Sequence, residues 1–151
     1  MTHLPSGVAF EVSLWDTPPG KHGFHVHRSG NLTKGSHSLC DHYHSPGKTH
    51  GGLNDFYGHE GDLGNLEVNK HGECNTKFVA RYLSLDSIIG RSLVVHDQED
   101  DLGLGSYPDS HKTGHSGGRL YYGIIARDES CDDNSGNASR PSDNSSECVL
   151  L

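Results

Sequence analysis

The segment Gly23-Phe24-His25-Val26-His27 narrows the fold of this chain more than any other stretch. Side chains on a strand alternate between two faces, so Phe24 and Val26 point one way and His25 and His27 the other. One face calls for a hydrophobic core, and the other presents two imidazoles one strand repeat apart. The same period of two runs through VAFEVSLW, where Val8, Phe10, Val12 and Leu14 alternate with Ala9, Glu11, Ser13 and Trp15. NLEVN, KFVARYLSL, SLVVH and LYYGIIA bring the set to about six strands. The expected architecture is all-β, a Greek-key sandwich or flattened barrel. Two long Gly-rich connections, 28–64 and 97–118, interrupt the strands, and loops of that length usually carry function.

Composition agrees with a small, turn-rich β protein: 31% of residues are hydrophobic and 20 are Gly. A net charge of −8 argues against a general nucleic-acid or membrane-surface binder. No apolar run approaches the length of a membrane span, and MTHLPSGVAFEV lacks the features of a secretory signal, so a cytoplasmic protein is expected. Composition shifts near residue 127. RDESCDDNSGNASRPSDNSSECVLL has six acidic and two basic side chains, a net −4, and few apolar residues before its end. Such a segment cannot bury enough surface to offset the entropy of ordering it. The expected organisation is therefore a domain over 1–126 and an acidic, disordered tail over 127–151.

Histidine is over-represented: there are 13, spread from His3 to His115, which rules out a tag. A lone His-x-His pair on a strand is ordinarily two solvated residues. Here His96 ends SLVVH in the same way, with Leu93 and Val95 on one face and Val94 and His96 on the other. Three imidazoles from two strands suit zinc or copper. A second group lies in HYHSPGKTHGGLNDFYGHEGD, residues 42–62. There His42, His50, His59 and Asp62, spaced 8, 9 and 3 residues apart, can wrap a tetrahedral zinc ion and tie down a loop with little else to hold it. His44 reads as exposed and outside the set.

Taken together, GFHVH, H-x7-HGG, GHEGDLGN, IIGRSLVVH, DDLG and KTGHSGGRL resemble the copper/zinc superoxide dismutases, in that family's order, from about Gly7 to Ala126. The resemblance implies one copper and one zinc per chain. It implies copper ligands at His25, His27, His42 and His96, and zinc ligands at His42, His50, His59 and Asp62. His42 would bridge the metals and carry the proton delivered to the forming peroxide. It implies that Asp100 links a copper-ligand histidine to a zinc-ligand histidine, that Arg119 orients the anionic substrate, and that Lys112 and Thr113 line its approach. Superoxide would be the substrate, converted to oxygen and hydrogen peroxide, with a copper donor protein and a homodimer as partners.

Three departures from the family pattern stand out. The family's disulfide cysteines correspond here to Ser36 and Tyr122; Cys74 and Cys131 are the alternative partners for Cys40. The chain starts about twenty residues into the family pattern, without the first hairpin, so an open sheet edge and a partly uncovered core are expected. The remaining dimer contacts would be Ile89-Gly90-Arg91 and Gly123-Ile124-Ile125. The ending Cys148-Val149-Leu150-Leu151 has the C-a-a-X form, a weak membrane tether if prenylated. Asn31, Asn137 and Asn144 open glycosylation sequons that matter only on a secretory route. The leading expectation is an enzyme. Its rivals are a non-catalytic metal-binding or interaction domain of the same fold and a copper-delivery protein, the latter disfavoured because no Cys-x-Cys motif occurs.

Overall fold

The computed structural model describes residues 7–128 and 147–149. Its strands are β1 (Val8–Leu14), β2 (Gly20–His27), β3 (Thr33–Ser36), β4 (Asp62–Val68), β5 (Cys74–Ala80), β6 (Ser92–His96), β7 (Arg119–Ile124) and β8 (Glu147–Val149). Two one-turn helices, α1 (Leu85–Ile88) and α2 (Ser110–Thr113), complete the elements with a 3-10 turn at His37–Leu39. One sheet runs β5-β1-β8 and the other β4-β2-β6-β7. Pairing is antiparallel throughout except for β8, which lies parallel to β1. This is the expected all-β sandwich.

The core forms where the alternating apolar positions of the two sheets meet. Val8, Phe10 and Val12 of β1 face Phe24 and Val26 of β2, with Leu66, Leu93 and Val95 beside them. Phe10 stacks on Phe78 at 5.2 Å and meets Phe24 edge-on at 6.2 Å. Each such fully buried side chain contributes roughly 1.5–3 kcal/mol. That burial anchors β2, whose opposite face carries His25 and His27.

One strand is shorter than KFVARYLSL suggests. β5 stops at Ala80, and Ser84 begins α1 with a reciprocal capping box to Ser87. Ser–Leu–Asp–Ser satisfies orphan helix N–H groups locally, which competes with continuing the strand. The long connections carry only β3, the 3-10 turn and α2.

Between β1 and β7 lies an apolar groove of about 570 Å³ lined by Leu14, Trp15, Leu93, Val95, Tyr121 and Tyr122. Tyr122 reaches across to the loop, its hydroxyl beside Gly35, next to Ser36. Cys40 and Cys74 are free thiols and do not pair with each other. Cys131, Asn137, Asn144 and most of the 127–151 tail lie outside the described residues, as does Leu150-Leu151 of the C-a-a-X ending. No helix among the described residues is long and apolar enough to cross a membrane.

Candidate metal centre

Three cross-strand pairs bring the histidines together. A register shift between Gly23 and His25 sets His25 opposite Asp62 on β4. A single bridge pairs His27 with His42, and a second shift, after Val95, sets His96 opposite Arg119 on β7. Bulges of this kind re-aim side chains without breaking the sheet. The loop bearing His42 lies against β2 through Tyr43 N–H to Val26 O and Val26 N–H to Gly61 O, both 2.8 Å. Gly61 is required there, because a Cβ would collide with the Val26 carbonyl.

The result is two adjoining ligand groups. In one, single ligand atoms of His25, His27, His42 and His96 all lie within 4.8 Å of one another; in the other, those of His25, His42, His50 and Asp62 do. Every side chain named is buried. The second grouping holds His25 where the sequence reading places His59, yet His59 is present at the same carboxylate. Asp62 Oδ1 lies 2.9 Å from His42 Nδ1, 3.0 Å from His50 Nδ1 and 3.4 Å from His59 Nδ1. Four ligands at zinc–nitrogen distance in a tetrahedron stand about 3.3 Å apart, so this set is spaced for that ion. Asp62 Oδ2 is occupied separately, accepting from the N–H groups of Gly51 at 2.8 Å and His59 at 3.1 Å, which leaves Oδ1 to face the imidazoles.

The remaining ring nitrogens sort the other set. His25 Nε2–H donates to Asp100 at 2.5 Å, His27 Nδ1–H to Cys40 O at 2.8 Å, and His96 Nδ1–H to Gly117 O at 3.4 Å. Each bond fixes a tautomer and leaves the opposite nitrogen as the ligand atom. His25 Nδ1 and His42 Nε2 are buried without any hydrogen-bond partner, and His27 Nε2 stands 3.3 Å from His96 Nε2. Buried orphan nitrogens are costly unless a cation satisfies them. With Nε2 in one group and Nδ1 in the other, His42 joins both.

Asp100 connects the halves. Its carboxylate accepts from His25 Nε2 and, at 2.7 Å, from His50 Nε2. Asn65 holds it in place, accepting from Asp100 N–H at 2.7 Å and donating to Asp100 O at 2.9 Å. Sequence reasoning missed Asn65, Gly114 and His22, although the first two sit inside quoted motifs. Gly114, at φ +69°, packs against Asp100 and His50 with no room for a Cβ. His22 is buried, with Nδ1 2.8 Å from His96 O.

Arg119 is half-buried, its Nη2 donating to Cys40 O at 2.9 Å while Nη1 is buried with no partner. Thr113 Oγ1 is bonded back to Asp109, and Lys112 is exposed on α2. These two lie on the loop that returns through Gly114, without a direct contact to Arg119 among the described hydrogen bonds. His44 is exposed, as expected, but its ring stacks on His59.

Burial keeps the imidazoles of the His25, His27, His42 and His96 group neutral. It takes His27 down to about 2 and His96 down to about 4, both assisted by the charge of His42, and lowers His25 and His42 as well. For His50 burial acts in the same direction, but Asp100 and Asp62 outweigh it and raise the ring to about 9. Burial alone would raise Asp62; contacts with His42, His50 and His59 hold it well below the usual carboxylate range. These shifts set the pH dependence of the metal-free protein. His27 and His96 are neutral when folded but take a proton near pH 6.5 when unfolded, so stability falls as pH drops below about 6.5. His50 contributes stability that is complete below about pH 6.5 and is lost as pH rises through about 9. The melting temperature of the metal-free chain is therefore expected to peak near neutrality and fall on both sides. A profile flat from about pH 5 to 9 in scanning fluorimetry would show that these rings are not held as described.

The family described as copper/zinc superoxide dismutase (SODC) matches residues 2–125. The chain belongs to the copper/zinc superoxide dismutase family. It is 46% identical over 121 residues to an extracellular superoxide dismutase [Cu-Zn] of Drosophila melanogaster, covering 78% of this chain and 67% of the relative. It is 50% identical over 110 residues to superoxide dismutase [Cu-Zn] 5 of Dictyostelium discoideum, covering 71% and 72%. It is also 49% identical over 109 residues to the copper chaperone for superoxide dismutase of Rattus norvegicus, covering 72% of this chain but 40% of that relative. The family thus includes dismutases and copper chaperones, and a histidine-rich metal site is what this chain shares with its name.

Proposed function

We propose that the chain is a superoxide dismutase, with copper held by His25, His27, His42 and His96 and zinc by His42, His50, His59 and Asp62. Copper bound there would supply a one-electron couple that alternately oxidises and reduces superoxide, giving oxygen and hydrogen peroxide. The observation that carries the reading is Arg119, half-buried opposite His96 with Nη1 free of any hydrogen-bond partner among the described residues. A metal store needs no such group. A guanidinium nitrogen held in place and unpaired is suited to binding a small anion beside the copper ligands. His42 can hold a proton at Nε2 for delivery to the peroxide when that nitrogen is not engaged by copper. Lys112 adds positive charge on the approach, offsetting a net charge of −8; steering of this kind has this family among its standing examples.

The homodimer, a copper donor and cytoplasmic residence belong to the same proposal. Ile124 is exposed on β7 beside Gly123, as a pairing surface would need. The chaperone relatives favour a second reading, a domain that binds metal without turnover.

The test is superoxide decay by purified 1–151 loaded with copper and zinc, with metal content measured on the same sample. Catalytic decay at about one copper and one zinc per chain is expected, and Arg119→Ala should lower the second-order rate about 10–100-fold with metal content unchanged. Full metal without decay would leave the binding-domain reading.

A further inference from the structure

We propose that His44 is the capture ligand through which zinc enters its site, taking the ion at the surface and passing it to His59. This rests on the zinc assignment above.

The zinc set is closed on nearly every side. The side chains of His50 and Asp62 have no solvent exposure and that of His42 has 2%, whereas His59 has 7%. His59 is therefore the edge at which solvent reaches the set, and its Nδ1 is buried 3.4 Å from Asp62 Oδ1 with no hydrogen-bond partner among the described residues. His44 stands on that edge. Its ring stacks on His59 with centroids 4.6 Å apart and planes 26° from parallel, and it is exposed.

Two further contacts show that the pair is built. His44 Nδ1–H donates to Ser45 O at 2.8 Å, which leaves the lone pair of the neutral ring on Nε2, ready to bind a metal. The residues next to the two histidines are clasped to each other. Glu60, beside His59, accepts from Ser45 N–H at 2.8 Å and Ser45 Oγ–H at 2.7 Å, and Lys48 pairs with the same carboxylate at 3.0 Å. The clasp holds one outward-facing imidazole over the least buried member of the zinc set.

The transfer is simple ligand exchange. Hydrated zinc loses a water as it binds His44 Nε2; that bond then breaks as His59 Nδ1 binds, with no change in oxidation state. His42, His50 and Asp62 complete the tetrahedron, and the final site does not contain His44. A ligand used only in transit should affect the rate of uptake and not the amount held.

The experiment mixes the metal-free chain 1–151 with zinc carried by a chromogenic chelator in a stopped-flow instrument and follows release of the chelator. His44→Ala should take up zinc about 10-fold more slowly and reach the same final content. His44→Phe, which keeps an aromatic ring on His59 but has no nitrogen, should be equally slow. Uptake by His44→Phe as fast as that of the unsubstituted chain would overturn the proposal, leaving only stacking. Lower final zinc in both variants would overturn it too, making His44 a resident ligand. His59→Ala tests the underlying assignment separately: undiminished zinc affinity there would refute the zinc site itself.

Discussion

His96→Ala is expected to lower superoxide dismutation by at least about 100-fold while zinc content stays near that of the unsubstituted chain. Partners that only orient a ligand are worth about 10–100-fold, so loss of a ligand itself should cost more. His96 offers only Nε2 to the metals, 3.3 Å from His27 Nε2, because Nδ1 is committed to Gly117 O. No hydrogen bond or ion pair among the described residues joins it to Asp62, on which the proposed zinc ligands converge. Asp62→Ala should do the reverse and release zinc first, since Oδ1 is the atom that three Nδ1 nitrogens approach. Elemental analysis of both variants, alongside superoxide decay, checks the division. Equal loss of both metals from either would contradict it.

Gly114→Ala should be the most damaging change outside the ligands. At φ +69° a side chain costs about 1–2 kcal/mol in the left-handed region, and forcing a methyl into packed surroundings adds about 1–3 kcal/mol. The atoms it would strike are the Asp100 carboxylate, which links the two halves, and its partner His50 Nε2. Thermal unfolding of the metal-free chain should show a loss of about 2–5 kcal/mol, and zinc affinity should fall about 10–100-fold. Gly105→Ala on the same loop is a less specific control, because its collisions are with Asp101 and Ser110 and not with the link. If Gly114→Ala bound zinc as the parent does, Asp100 would not be holding His50 in the way described.

These expectations differ in how visible they were before folding. The core strands were legible because burial imposes a period of two. Val8, Phe10 and Val12, like Phe24 and Val26, announce their face, and the structure buries all five. The end of β5 was less so, since the capping box at Ser84 is a local competitor that hydrophobicity does not report. Asn65 and Gly114 gave no chemical signal at all. One is an amide and the other lacks a side chain, and each matters only because a distant residue, Asp100, lies against it.

Residue types alone determined the class of the protein: alternating strands, an imidazole-rich face and a long histidine-bearing loop. Those properties are local, written in spacings of two to nine residues. Only the tertiary structure decided which nitrogen of each ring is left for a metal. That choice depends on carbonyls and carboxylates brought from 13 to 75 positions away, such as Cys40 O for His27 and Asp100 for His25. It likewise decided that His44 covers the exposed edge of His59, and that two strand irregularities pair His25 with Asp62 and His96 with Arg119. A one-residue shift in pairing turns every side chain of a strand to the opposite face, so register, which emerges when the sheets pack, completes the site.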